Sequence, residues 1–93
     1  MAETADGVDR MVGQRLRQRR KLLGLTQVEV ARACGVKFQQ IAKYECAANR
    51  LSAAMLWKLC QILGVGVGYF FDGLQPSAPA AGAREQAGRT ASR

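Results

Sequence analysis

Residues 26–45 read TQVEVARACGVKFQQIAKYE, and the reading of this stretch decides the fold. Thr26-Gln27-Val28-Glu29 has the form of a capping box, in which the Thr26 hydroxyl accepts from the backbone of Glu29 while Glu29 reaches back. A helix opened there turns Val30, Ala31 and Cys34 to one face, and Gly35 ends it. A short turn, Gly35-Val36-Lys37, leads into a second short helix near Phe38 to Cys46, with Ile41 pointing inward. Two short helices about a glycine make a helix-turn-helix. Each inward residue has a reason. Ala31 is small where the helices approach, Gly35 supplies a positive φ at the turn, and Val36 and Ile41 pack under the corner.

Outward from this motif the pattern stays helical from residue 8 to residue 73. A first helix is expected from Asp9 to Leu23, with Gly24 as its stop and Val12, Leu16 and Leu23 along one face. Arg20 falls on that same apolar face, four residues after Leu16, and a charge there needs a partner. Glu45 follows Ile41 at i+4 and therefore also faces the core side of the third helix. A buried Arg20–Glu45 ion pair resolves both; the alternative is that each side chain bends outward to the surface. Ser52 caps a fourth helix whose inner face is Leu56, Leu59, Cys60 and Leu63, with Met55 alongside, and Gly64 closes it. VGVGYFFDG, residues 65–73, then gives a tight connection and a fifth helical turn around Tyr69 to Asp72. The expected organisation is a flexible N-terminus over residues 1–7, a compact five-helix all-α domain over 8–73, and a disordered tail over 74–93, rich in Ala, Gly, Ser and Pro.

Composition narrows the function. The 93 residues hold 14 basic and 7 acidic side chains, a net charge of +7, which is the electrostatic footprint of a polyanion binder. No apolar run approaches the length of a membrane span, and Met1–Gly7, with Glu3 and Asp6, does not resemble a secretory leader. The three cysteines, Cys34, Cys46 and Cys60, form no CxxC and have no histidine to complete a zinc site. They fit a reducing cytoplasm, with Cys34 and Cys60 as small core residues and Cys46 the one open to redox chemistry. With no histidine, no Ser/Lys pair and no paired carboxylates, catalysis is not expected, and neither is a metal, a cofactor or a small-molecule ligand.

The outer face of the third helix is then the candidate site. Phe38, Gln39, Ala42 and Lys43 point away from the inward positions, with Lys37 and Gln40 at the flanks, and Gln39 and Lys43 share a ridge. A glutamine amide can both donate to and accept from adenine, and lysine reaches guanine acceptors or a phosphate, so the face suits the major groove of double-stranded DNA. The competing reading makes it an ordinary solvated face. Phe38 has two readings of equal standing, a thymine-methyl contact or a core residue at the helix start. Backbone amides at the start of the second helix, around Thr26 and Gln27, are placed to hold a phosphate, where Gln27 also offers a long donor side chain, and Asn49 and Arg50 to grip the backbone on the other side. Arg15, Arg17 and Arg19 are expected to act through the general field.

RLRQRRKLLGLTQVEVARACGV (15–36), IAKYE (41–45) and LCQILGV (59–65) resemble the phage-repressor helix-turn-helix family, the lambda Cro/repressor-like or xenobiotic-response-element type, over residues 12–72. FQQIAKYECAANRLSA, residues 38–53, is similar to a bacterial regulator subgroup with FQQ, KYE and ANR-S at this spacing. The resemblance implies a five-helix fold that reads DNA through its third helix, usually as a homodimer, and pairs the residues matching Arg20 and Glu45. It departs from the family at Lys37, where Ser or Thr is usual, and at Cys46-Ala47, where a glycine often follows the glutamate. The function expected is a sequence-specific transcriptional regulator, a repressor binding a pseudo-palindromic operator. Val65, Val67, Tyr69, Phe70 and Phe71 are the candidate dimer surface, unless Phe70 and Phe71 close the core. The alternative is an antitoxin-type, protein-binding module whose tail engages a partner protein.

Overall fold

A computed structural model describes residues 5–74, and every regular element among them is helical. Helix α1 spans Ala5–Leu22, α2 Gln27–Cys34, α3 Phe38–Glu45 and α4 Ala53–Leu63, followed by a 3-10 helix over Val67–Phe71. This is the all-α arrangement the sequence predicts, with the fifth element tighter than an α-helix. Ala5–Gly7, assigned to a flexible segment from sequence, form the first turn of α1, which starts ahead of the expected Asp9. Leu74, the first residue of the expected tail, donates its N–H to the Phe71 carbonyl at 3.1 Å, and the rest of that tail, residues 75–93, lies outside the described residues.

The caps act where their residue types require. Thr26 Oγ1 accepts from the Glu29 backbone N–H at 3.0 Å, and the Thr26 N–H donates to Glu29 Oε1 at 2.8 Å. Those bonds from the Thr26 backbone and side chain hold the Glu29 carboxyl below the usual glutamate range. Ser52 Oγ accepts from the Met55 N–H at 3.0 Å, and Gly35 ends α2 at φ 76°.

Leu16, Val30, Ile41, Leu59, Leu63 and Phe70 are fully buried and form the centre of the core, with Val12, Ala31, Cys34 and Cys60 around them. Leu23 is a correction. The helix stops at Leu22 and the chain turns at Gly24, leaving Leu23 42% exposed, while Leu25 beyond the turn packs on the core instead.

Two features of α1 have no counterpart in the sequence reading. At Gly13 an added Cβ would sit 2.5 Å from the Tyr44 carbonyl oxygen and 2.7 Å from that of Glu45, so α1 crosses the end of α3 at backbone contact. Arg15 and Arg19, expected to act only through the general field, are clamps. Arg19 Nε donates to the Leu63 carbonyl at 2.9 Å, at the end of α4. Arg15 donates to the carbonyls of Tyr69 at 3.1 Å and Asp72 at 2.6 Å, and its guanidinium stacks over the Tyr69 ring at 5.7 Å. The last carbonyls of a helix lack intrahelical partners and carry partial negative charge, which is what draws these cations in.

Ala47 has φ 62°, the left-handed region, in the segment where the family often places glycine. A non-glycine residue there is strained by about 1–3 kcal/mol, and glycine's larger unfolded-state freedom offsets part of the gain on replacing it. Ala47→Gly is therefore expected to raise stability by about 0.5–1 kcal/mol in urea unfolding, and Gly13→Ala to lower it by about 1–3 kcal/mol through forced separation of α1 and α3. The opposite sign in either measurement contradicts the packing described.

Candidate nucleic-acid interface

α3 divides cleanly into two faces. Ile41 and Glu45 are buried, whereas Lys37, Phe38, Gln39 and Lys43 are exposed and Gln40 and Ala42 lie between. Phe38 is 47% exposed, which removes it from the core. Lys37 precedes the helix in extended conformation and makes no side-chain cap, so its ammonium is left for other contacts.

Behind this face sits the ion pair. Arg20 is 8% and Glu45 9% exposed. Arg20 Nε donates to Glu45 Oε2 at 2.6 Å and Nη2 to Oε1 at 3.1 Å, a two-pronged contact, while Nη1 donates to the Leu25 carbonyl at 2.9 Å. Both charges are compensated, and no buried side-chain polar atom among the described residues lacks a partner.

Gln27 requires a correction. Its amide does not point out toward a phosphate; Nε2 donates to Glu45 Oε1 at 3.0 Å. A half-buried amide gains more from a carboxylate than from water, and Glu45 has acceptor capacity left after binding Arg20. Thr26 and Asn49 are exposed as expected. Arg50 is exposed but occupied, its Nε donating to Asp9 Oδ2 at 2.8 Å. Such a solvated pair is worth about 0–1 kcal/mol, so little holds Arg50 in place.

The aromatic residues near the C-terminal end also separate. Phe70 is wholly buried and belongs to the core, not to a dimer surface. Tyr69 is half-buried, its hydroxyl donating to the Arg15 carbonyl at 3.1 Å, and Val65 packs partly against the core. Val67 and Phe71 remain exposed. Trp57, 60% exposed on α4, is a large apolar residue the sequence reading passed over, although it falls off the helix face defined by Leu56, Leu59, Cys60 and Leu63.

Cys34 and Cys60 are buried, which pushes their thiols up and leaves them unreactive, while Cys46 is exposed with its thiol donating to the Lys43 carbonyl. Among the described residues no group of three or more His, Cys, Asp or Glu is placed to hold a metal ion, and no helix is long and apolar enough to cross a membrane.

An exposed, polar and basic recognition-type helix held on a buried ion pair defines a helix-turn-helix protein. The helix-turn-helix family model matches residues 16–70, and the chain belongs to that family, of the xenobiotic-response-element type. It is 49% identical over 76 residues to an uncharacterized transcriptional regulator in the ATPase CF(0) region of Rhodospirillum rubrum, covering 82% of this chain and 70% of that protein. It is 45% identical over 65 residues to an uncharacterized HTH-type transcriptional regulator of Sinorhizobium medicae, covering 70% of this chain and 47% of the relative, so it spans about half that regulator's length. Among solved structures it resembles SinR, the master regulator for biofilm formation, in complex with DNA, with a TM-score of 0.61, 31% identity, 66% of this chain and 98% of that one.

Because Arg20 and Glu45 compensate each other away from water, breaking the pair and replacing it are different experiments. Arg20→Met alone is expected to cost about 3–5 kcal/mol, and Arg20→Met with Glu45→Leu far less. Denaturant unfolding of both variants checks this, and equal losses would count against a buried pair.

Proposed function

We propose that this chain is a sequence-specific DNA-binding transcriptional regulator that inserts α3 into the major groove and acts as a repressor. The observation that carries the reading is the division of α3: Gln39 and Lys43 stand free on the outer face while Ile41 and Glu45 of the same short helix are locked inside. A helix held so firmly from behind keeps its outer side chains in register with base edges, and the +7 charge draws it to a polyanion. SinR was solved on DNA, which supports the same mode of use here.

In this reading Gln39 reads a base bidentately, Lys43 and Lys37 reach a base or phosphate, Phe38 presses on a thymine methyl, and Gln40 supports the flank. Thr26 and the amides at the start of α2 face one phosphate, and Asn49 and Arg50 the backbone beyond, with Arg50 leaving Asp9 to do so. One short helix reads only a few base pairs, so a homodimer on a pseudo-palindromic site gives useful specificity. Val67 and Phe71 are its apolar contacts, with Tyr69 and Val65 as their half-buried support. The setting is cytoplasmic.

A duplex enriched from a random pool supplies the test. Gln39→Ala is expected to weaken binding to it by about 1–3 kcal/mol while scrambled DNA is held as before. Arg50→Ala should instead weaken both equally and make the salt dependence shallower. Equal loss on matched and scrambled duplexes for Gln39→Ala would remove Gln39 from base reading, and failure of the unaltered chain to bind any duplex at low salt would remove the whole reading.

A further inference from the structure

Beyond Arg10, which is exposed beside Asp9, Cys46 and Ala47, the cationic side chains of α1 fall into two sets. Arg15, Arg19 and Arg20 are each bound to a carbonyl or carboxylate within the fold. Arg17 and Lys21 are exposed and carry no side-chain hydrogen bond or ion pair among the described residues. They stand four apart on one ridge of the helix, where like charges repel, and no carboxylate occupies the i±3 or i±4 positions around either to relieve it.

The ridge is also one wall of an open cleft of about 560 Å³, whose other walls include Thr26, Gln27 and Phe38. No carboxylate lines that cleft. The two free cations are therefore continuous with the start of α2 and the first residue of α3, the edge by which the proposed interface approaches DNA. Their Cβ atoms are about 5–6 Å apart, the separation of helix neighbours four apart, which is of the order of one step between phosphates along a strand. A helix face with two uncompensated cations, concave toward the recognition helix and free of acid, is complementary to a run of phosphates.

Resting on the DNA-binding reading, we infer that Arg17 and Lys21 form a backbone clamp that grips successive phosphates of the strand flanking the half-site read by α3. The clamp adds affinity without sequence preference and lengthens the footprint beyond the base pairs that α3 touches.

The experiment measures binding of the full chain by fluorescence anisotropy across a salt series, on two duplexes containing the pool-selected site. One ends at the bases read by α3, and the other extends about one helical turn further on each side. On the extended duplex, Arg17→Ala with Lys21→Ala is expected to flatten the slope of log affinity against log salt by about 1.8, from about 0.9 per phosphate contact. That corresponds to a loss on the order of 50-fold at 0.1 M salt, alike on matched and scrambled sequence. The loss shrinks on the short duplex, and Arg17→Lys with Lys21→Arg keeps the slope. Lys58→Gln, which removes one charge near Cys34 at the other end of α2, serves as the control per charge removed and is expected to move the slope by far less than half as much. Neither Arg17 nor Lys21 holds the fold together, so an unchanged thermal unfolding profile accompanies the double variant. If the unaltered chain binds and the double variant keeps its slope, or if Lys58→Gln flattens it as much per charge removed, the clamp is overturned while DNA reading stands. Failure of the unaltered chain on every duplex overturns both.

Discussion

The buried contact between Arg20 and Glu45 organises this small domain. Through one guanidinium and one carboxylate it joins the end of α1, the Leu25 carbonyl in the following turn, the first residue of α2 and the last turn of α3. Taking two charges out of water is unfavourable, and only a geometry in which every donor and acceptor is used makes it tolerable. Here Glu45 accepts from Arg20 through both oxygens and from Gln27 through one, which fixes the rotation of α3 about its own axis. That rotation decides which side chains of α3 face out. The proposed recognition surface is thus a consequence of the buried network as much as of the residues displayed on it.

Much of this was readable from residue types alone, because the signals involved are local or periodic. The capping box at Thr26, the left-handed turn at Gly35 and the Ser52 cap need only a few neighbours to be recognised. The ion pair followed from two charges landing on apolar faces at helical spacing. What stayed hidden depends on partners that carry no sequence signature. Arg15 and Arg19 bind backbone carbonyls, which every residue possesses, so their roles emerge only when α4 and the 3-10 helix are brought alongside α1. The inward turn of Gln27 depends on a carboxylate 18 residues away. Gly13 looks like a flaw in a helix until the carbonyls of Tyr44 and Glu45 are placed against it. Adjacent aromatics Phe70 and Phe71 part company because the 3-10 helix turns one into the core and the other to solvent.

The result is a division of labour among chemically similar residues. Arginines on successive turns of α1 close helix ends, compensate a buried acid or remain free, according to which side of the helix they occupy. Of the cations left free, Arg17 and Lys21 lie toward the proposed DNA face. Val67, Phe71 and Trp57 stand outside the core.

The most direct measurement is a nuclear magnetic resonance titration of the labelled chain with a duplex selected from a random pool. The account requires that the largest shifts, and protein–base contacts, fall on the side-chain amide of Gln39 and on its neighbours Phe38 and Lys43, with the Arg20–Glu45 environment unchanged. Shifts concentrated on α4 around Trp57, with the outer face of α3 unmoved, would contradict it.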